Sequence, residues 1–533
     1  MKKQYVIGVD FGTDSVRSSL IDAGNGNKVV SSFYEYPRWA AGLFCDASRH
    51  QFRQHPLDYL EGLEGTIKDC LLKSSVDPQD IKAISVATTG STPCVVNEAG
   101  VPLSLTPGFE NDPDAMFILW KDHTAVSKAD AINLHAKKYA VDYLAHSGGI
   151  YSAEWFWAKW LQVIELGVSM VEHSDWIPFV LTGGTDIKNI KRNVCAAGHK
   201  AMWSDNMLPP NHFFVSLDPR FKNKIFFDKV YTAAQPAGNL SKAWAEKLGL
   251  STQVVVGVGA LDAHMGAVGA NIQPYHLCKV MGTSTCDMLV VPGSDHPPLV
   301  LGICGQVEGS VIPGMVGMEA GQSAFGDVFA WFKNMLSWGQ EKPDEKLLDK
   351  LSVAAAALPL LENDPLAVDW FNGRRTPDVN YSLTAAITNL HLGSGTPQIF
   401  KALVEAACFG SKAIIDCFEK QQVQIKGIIA LGGIAHKSPY VVQTMADTLQ
   451  KPIRISRSTQ SCALGAAMFA AVAVGIYPTI EAAMQAMNQG FEKEYLPDPS
   501  KAGYYDNRYE RYKQLGNFIQ KRLNSIHGTA VTA

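Results

Sequence analysis

A chain of 533 residues is too long for a single hydrophobic core and implies two large domains. With 47% hydrophobic and 18% charged residues and a mean hydropathy of −0.01, it has the make-up of an ordinary globular enzyme. A net charge of −4 and a pI near 6.4 exclude electrostatically driven binding to nucleic acid or anionic membranes. Ten cysteines are scattered from Cys45 to Cys462 without a CxxC pair. That pattern argues for reduced thiols in a cytoplasmic protein and against a disulfide framework or zinc site. The start, MKKQYVIGVDFG, reaches Asp10 too soon for a secretory core.

Tyr5 to Asp22 opens the chain as a hairpin. Val6, Ile7 and Val9 form a buried strand, Asp10-Phe11-Gly12-Thr13-Asp14-Ser15 breaks it, and Val16 to Ile21 returns. Such a hydroxylated, glycine-bearing turn can cradle a phosphate on its N–H groups, and the Asp10 carboxylate can hold Mg²⁺ through water. A plain structural hairpin would look the same. Lys28 to Tyr36 alternates as a third strand. Pro56 to Leu72 is an amphipathic helix with Leu57, Leu60, Leu63, Ile67 and Leu71 on one face. Ile81 to Ala87 is a strand that runs into Thr88-Thr89-Gly90-Ser91-Thr92, a polar exit where a site belongs.

Tyr139 to Gly249 is tryptophan-rich and irregular, an insertion covering the first domain. Strand Val254 to Val258 then delivers Asp262 to a glycine-flanked bend. There it can take a proton from an attacking hydroxyl, or cap the helix Ala263 to Gly269; local pattern favours the cap. His264 beside it has the pattern of a structural histidine.

The second half repeats the scheme. Leu277 to Met281 is a strand, Gly282-Thr283-Ser284-Thr285 a turn, and Cys286 to Val291 the returning strand. Gly339 to Pro377 is a second insertion with a helix in Leu347 to Leu361. Pro397 to Glu419 is helical, and Ile425 to Leu431 is a strand ending in Gly432-Gly433 before the helix Pro439 to Leu449. Ile81-Lys82-Ala83-Ile84 matches Ile425-Lys426-Gly427-Ile428, which points to a duplicated domain. The uncharged run Ser458 to Ile480 is a packed core helix rather than a membrane span. Tyr504 to Ile526 closes the chain as a helix.

Lys200 and Glu319 are ionisable residues set among small ones, able to hold sugar hydroxyls or to serve as ends of ion pairs. Trp120-Lys121-Asp122-His123 and Tyr151 to Trp160 are either core or one wall of a ligand site.

The ordered set DFGTDSVR, GALDAH, MGTSTC and LGGIAHKSPYVVQTMAD resembles the FGGY carbohydrate kinases over nearly the whole chain. EYPRW, TTGSTP, LWKDHTA, AAGHKAMW, GMEAGQSAFGD, DWFNGRRTPD and CALGAAMFAAVA point to the subgroup that acts on L-ribulose. The resemblance implies an α/β fold of two actin-like, ribonuclease H-type ATPase domains facing a central cleft, with insertions. Residues 1–270 would carry the sugar site, the first phosphate turn and the catalytic aspartate. Residues 271–490 would bind nucleotide, and 491–533 would form a helical tail.

By resemblance Asp262 is the catalytic base, overriding the cap, and Gly90, Lys200 and Glu319 contact sugar. Gly12 and Thr13, then Gly282, Thr283 and Ser284, hold the phosphates of ATP; Gly432, Gly433 and Ala435 hold its adenosine; Asp10 binds Mg²⁺ through water. Ser438 departs from the asparagine of related kinases. The implied reaction is ATP-dependent phosphorylation of L-ribulose at its 5-hydroxyl. D-xylulose or another ketopentose is the alternative within the class, and an actin-like ATPase switch without a sugar the alternative outside it. The implied partners are a ketopentose and MgATP, with no nucleic acid or membrane, and a homodimer is compatible. Arg374 and Arg375 are open between meeting phosphate and fixing a loop.

Overall fold

The computed structural model describes residues 3–340 and 344–530. Residues 1–2 of the first predicted domain, 341–343 of the second insertion and 531–533 of the tail lie outside them. Two seven-stranded sheets organise the chain. The first uses β1 (Tyr5–Phe11), β2 (Ser15–Asp22), β3 (Lys28–Glu35), β4 (Ile81–Thr88), β5 (Pro236–Asn239) and β6 (Val255–Gly257), in the order β5-β6-β4-β1-β2-β3; Ala260–Leu261 adds a short segment beside β4. The second uses β7 (His276–Met281), β8 (Thr285–Pro292), β9 (Gly305–Glu308), β10 (Met315–Ala320), β11 (Gly427–Leu431), β12 (Ile453–Ser456) and β13 (Phe491–Tyr495), in the order β9-β10-β8-β7-β11-β12-β13.

Read from β3 and from β10, the two orders coincide strand for strand. Each sheet has an antiparallel hairpin, a parallel neighbour on the hairpin's first strand, a further parallel strand and an antiparallel edge. The duplication inferred from the repeated hairpins and one four-residue match is therefore present in topology. β1, β4, β7 and β11 are apolar because both of their faces are covered.

Helix α1 (Pro56–Lys73) covers the outer face of β2 and β3. Its buried face is turned from the predicted leucine stripe: Leu63 and Ile67 are inside, but their companions are Tyr59, Gly62, Thr66 and Cys70 rather than Leu57, Leu60 and Leu71. Val16 and Tyr34 pack where a Cβ on Gly62 would stand, which pulls that side inward. Between the sheets run α2 (Asp262–Gly269) and, from the second half, α3 (Ser461–Ala473). Helix α3 is apolar all round because it lies in core on every side, against β1, β4 and α2. Small residues allow the close crossing: a Cβ on Gly465 would lie 1.9 Å from the Met265 carbonyl oxygen, and one on Gly269 would lie 2.0 Å from that of Ser461. The core-helix expectation holds, and among the described residues no helix is long and apolar enough to cross a membrane.

The region Tyr139–Gly249, expected to be irregular, contains the helices Phe156–Gln162, His173–Leu181, Val194–Ala201, Asn211–Leu217 and Lys242–Leu248. Each is only two or three turns long, too short to show a period in sequence, and an aromatic cluster including Trp157, Trp160, Phe213 and Phe214 stabilises the group. The helix begun at Leu347 stops at Ala356 rather than Leu361, because Leu358 precedes Pro359 and is disfavoured in helical conformation.

Candidate active site

The hairpin turn after β1 is closed by the Gly12 N–H donating to the Ser15 carbonyl at 2.9 Å, and the Thr89 N–H ties the β4 exit to it through the Phe11 carbonyl at 3.1 Å. The Thr13 hydroxyl accepts from the Trp120 indole at 3.1 Å, and its carbonyl from the Gln54 amide at 2.6 Å. In the second hairpin Gly282 N–H donates to the Ser284 carbonyl at 3.1 Å, while the Thr283 carbonyl accepts from Phe325 and Asp327 N–H at 2.7 and 3.1 Å. The N–H groups of Thr13, Thr283 and Ser284 have no backbone partner among these turn contacts, as an anion cradle requires.

A cavity of about 260 Å³ opens between the halves. The first half contributes Thr13, Gly90, Lys200 and Asp262 to its wall, and the second contributes Gly282, Thr283, Ser284 and Glu319. Asp10, Gly12, Gly432, Gly433 and Ala435 lie outside the lining. Ala435 packs its methyl into the second-half core. Gly432 has φ +96°, and a Cβ there would meet the Met281 carbonyl oxygen at 2.7 Å, so that position demands glycine; around Gly433 the space is open.

Asp262 is the first residue of α2, with Leu261 in the cap position, so the capping role favoured by local pattern is not the one observed. Its Oδ1 accepts from the adjacent Ala263 N–H at 2.6 Å while the group lines the cavity. Burial, and then the charge of Asp10, push its pKa up to about 7. Asp10 is itself raised to about 6 by burial, partly offset by its cross-strand partner Arg17. Two half-buried carboxylates that each resist ionisation are a site short of positive charge, and a divalent cation fits that deficit.

Lys200 donates to both oxygens of Glu319 at 2.8 and 2.9 Å. Burial opposes the Glu319 charge, but Lys200, His199 and His264 overcome it and hold the carboxyl near 2. The Lys200 ammonium is raised in turn by Glu319 despite its burial. The ion-pair reading of these residues is the one observed, and the pair forms part of the cavity wall. His199, His264 and Glu319 have the donor types of a cation site, with both ring nitrogens of His264 unpartnered. Lys200 already holds both carboxylate oxygens, and the two histidines stand 3.6 and 3.8 Å from the nearer one.

A Cβ on Gly90 would lie 2.1 Å from Leu261 Cδ2, so the close approach of these two segments requires glycine. Behind the loop the buried Lys159 ammonium donates to the Ser91 and Leu119 carbonyls at 2.7 and 2.9 Å. Glu172 accepts from the Ser91 hydroxyl and from the Thr92 N–H at 2.9 Å. Neither residue was singled out in sequence; Lys159 is hidden in an aromatic run and Glu172 has no local signal.

The aromatic segments divide. Trp120, Glu154 and Trp155 line the cavity, whereas Trp157 and Trp160 are core. Arg374 fixes its loop, with Nε donating to the Asp378 carbonyl at 3.2 Å and its guanidinium over Trp370. Arg375 lines the cavity with Tyr381.

With this geometry in place, the comparisons identify the class. Residues 5–269 match the N-terminal domain of the FGGY family of carbohydrate kinases and residues 277–474 its C-terminal domain, and the chain belongs to that family, whose members use ATP as co-substrate. Among its relatives, the ribulokinase of Vibrio parahaemolyticus is 45% identical over 97% of this chain and 96% of its own. That of Halalkalibacterium halodurans is 36% identical over 99% and 97%. The fold is shared with solved structures of a xylulose kinase from Rhodospirillum rubrum (TM-score 0.79, 17% identity, 98% and 100% covered) and a gluconate kinase from Lactobacillus acidophilus (TM-score 0.79, 20% identity, 97% and 98% covered).

Proposed function

We propose that the protein transfers the terminal phosphoryl group of ATP to the 5-hydroxyl of L-ribulose, giving L-ribulose 5-phosphate and ADP, a step of L-arabinose breakdown. The observation that carries this reading is the placement of Asp262: its raised carboxyl shares one cavity with the Lys200–Glu319 pair and the Gly282–Ser284 turn. The ribulokinase names borne by full-length relatives select the sugar.

In this reading the first-half turn at Gly12 and Thr13 and the second-half turn at Gly282, Thr283 and Ser284 hold the phosphates, and Gly432, Gly433 and Ala435 the adenosine. Gly90 offers its main chain to the sugar, and Lys200 and Glu319 supply a donor and an acceptor. Asp262 accepts the 5-hydroxyl proton as the oxygen–phosphorus bond forms and the bond to the ADP oxygen breaks, then releases that proton to solvent. Asp10 would hold Mg²⁺ through water, and the ion would supply neutralising charge for the phosphate oxygens. Closing the halves excludes water from the phosphoryl group.

The functional division assigns the sugar site to residues 1–270, nucleotide to 271–490 and a packing tail to 491–533. The enzyme acts in the cytoplasm on ketopentose and MgATP, without nucleic acid or membrane, and a homodimer is compatible with this. ADP release measured with L-ribulose, with D-xylulose and without sugar is the test. L-ribulose should give the highest kcat/KM. A higher value for D-xylulose would reassign the substrate, and sugar-independent turnover would overturn the reading.

A further inference from the structure

The cleft is bridged by two charged pairs of opposite sense. In one the first half supplies the cation and the second the anion, Lys200 to Glu319; in the other these are reversed, Glu154 to Arg375. The two pairs are not equally closed. Lys200 holds both Glu319 oxygens at hydrogen-bond distance, whereas Arg375 Nη2 stands 3.8 Å from Glu154 Oε1. That Glu154 oxygen is already engaged by His123 Nε2 at 2.9 Å. The half-buried guanidinium therefore has a counter-charge, which lowers the Glu154 carboxyl to about 2, and a hydroxyl partner in Tyr381, but these two do not take up its planar fork of donors.

Hydrogen bonds place these groups in order. Lys200 holds the Glu319 carboxylate. The Glu319 carbonyl accepts from the Cys304 N–H at 2.8 Å, and Cys304 Sγ stands 3.4 Å from the hydroxyl of Thr376, the neighbour of Arg375. The Lys200–Glu319 pair and Cys304 thus lead toward Arg375, and all of these groups except Thr376 line one cavity with Asp262. A five-carbon chain with its reacting hydroxyl at Asp262 directs its other end toward Arg375. In an open-chain ketose that end carries a C1 hydroxyl and a C2 carbonyl on adjacent carbons, two acceptors matched to a guanidinium fork and not to a point-charge ammonium.

We infer that Arg375 contacts the C1–C2 end of the ketopentose and is a specificity-determining residue that favours ketoses over the corresponding polyols. This rests on the proposed sugar-kinase function and adds to it the recognition of the carbonyl. Arg375 comes from the second half, so its contact also makes the sugar site incomplete until both halves meet.

The test compares the full-length wild type with R375A, R375K and R375Q, using MgATP and either L-ribulose or the two pentitols formed by reducing its carbonyl, ribitol and L-arabinitol, as substrates or as competitive inhibitors. R375A should lose on the order of 10–100-fold in kcat/KM for L-ribulose, the scale of a charge-assisted hydrogen bond. The pentitols should change by less than about threefold on the same scale, so that the ketose-to-polyol preference collapses. R375K should recover only part of the loss, and the KM for ATP should not move. Equal losses on ketose and polyol, no loss, or a raised KM for ATP would overturn the inference, the last by assigning Arg375 to phosphate. If R375A fails to fold, R375Q carries the comparison. A wild type that ignores L-ribulose but turns over another ketopentose would refute the substrate reading alone, and the same ketose-to-polyol ratio would then be measured with that sugar and its polyols.

Discussion

The two hairpins that face the cleft share a backbone and differ in one chemical respect. Next to the end of β1 stands Asp10, paired across the hairpin with Arg17 and beside Ala87 of β4. At the equivalent point of β7 stands Val280, paired with Cys286 and beside Leu431 of β11. The following strands diverge in the same way, β4 leading to Thr89 and Gly90, and β11 to Gly432 and Gly433. The first hairpin thus brings a carboxylate to its turn and the second does not, although the second half still contributes the Glu319 carboxylate and the Arg375 guanidinium to the cavity wall.

The largest expected effect on this asymmetry comes from Asp262. Asp262→Asn should lower turnover by on the order of 10²–10⁴ with nearly unchanged ATP affinity, measured by steady-state kinetics and calorimetry. The same variant should be more heat-stable than wild type at pH 8 and little different at pH 5. The raised folded-state pKa means stability is lost as pH climbs from the ordinary carboxyl range through about 7, and asparagine has no such loss. Equal melting temperatures at pH 8 would show that Asp262 is not strained by burial.

Breaking the buried pair comes next. Glu319→Gln leaves the Lys200 ammonium without its partner and should cost about 3–5 kcal/mol in unfolding stability, with a raised sugar KM. Gly432→Ala sets a methyl against the Met281 carbonyl and strains a left-handed backbone, so it should raise the KM for ATP and leave that for sugar alone. Gly433→Ala, in open space, should stay within about ±0.5 kcal/mol of wild type in stability. If the two glycine variants behave alike, the steric demand for glycine at 432 is refuted.

The smallest effect is a shift of a pH profile. Asp262 must be ionised to accept a proton, so kcat/KM should rise through about pH 7. Asp10→Asn removes the like charge and should move that limb to lower pH even as it weakens Mg²⁺ dependence. An unmoved limb would uncouple the two carboxylates.

Much of the scaffold was legible because it is local: the hairpins, the strand exits and the helix Pro439–Leu449 each announce themselves within a dozen residues. Asp262 was located by its strand, though its role came from resemblance, since a helix-start aspartate has two equally local explanations. The Lys200–Glu319 pair was not legible as a pair; its members are 119 residues apart and in different halves, and spacing carries no information across that distance. Arg375 was undecided beside Arg374 for the same reason, since only the packing of a loop against the opposite half separates their fates. Within YSAEWFWAKW, periodicity could not divide Trp155 on the cavity wall from Trp157 and Trp160 in the core.

The crossing of α2 and α3 has a mechanical consequence. Helix α2 carries Asp262 at one end and, at the other, touches α3 where not even a methyl group fits. Rods in such contact can swivel about their point of touch but have no slack along their common normal. Any swing of one half against the other would thus turn about that contact, roughly 10 Å along α2 from Asp262. Gly465→Ala would wedge that bearing open by force, and a fall in turnover with both substrates still bound would be its signature.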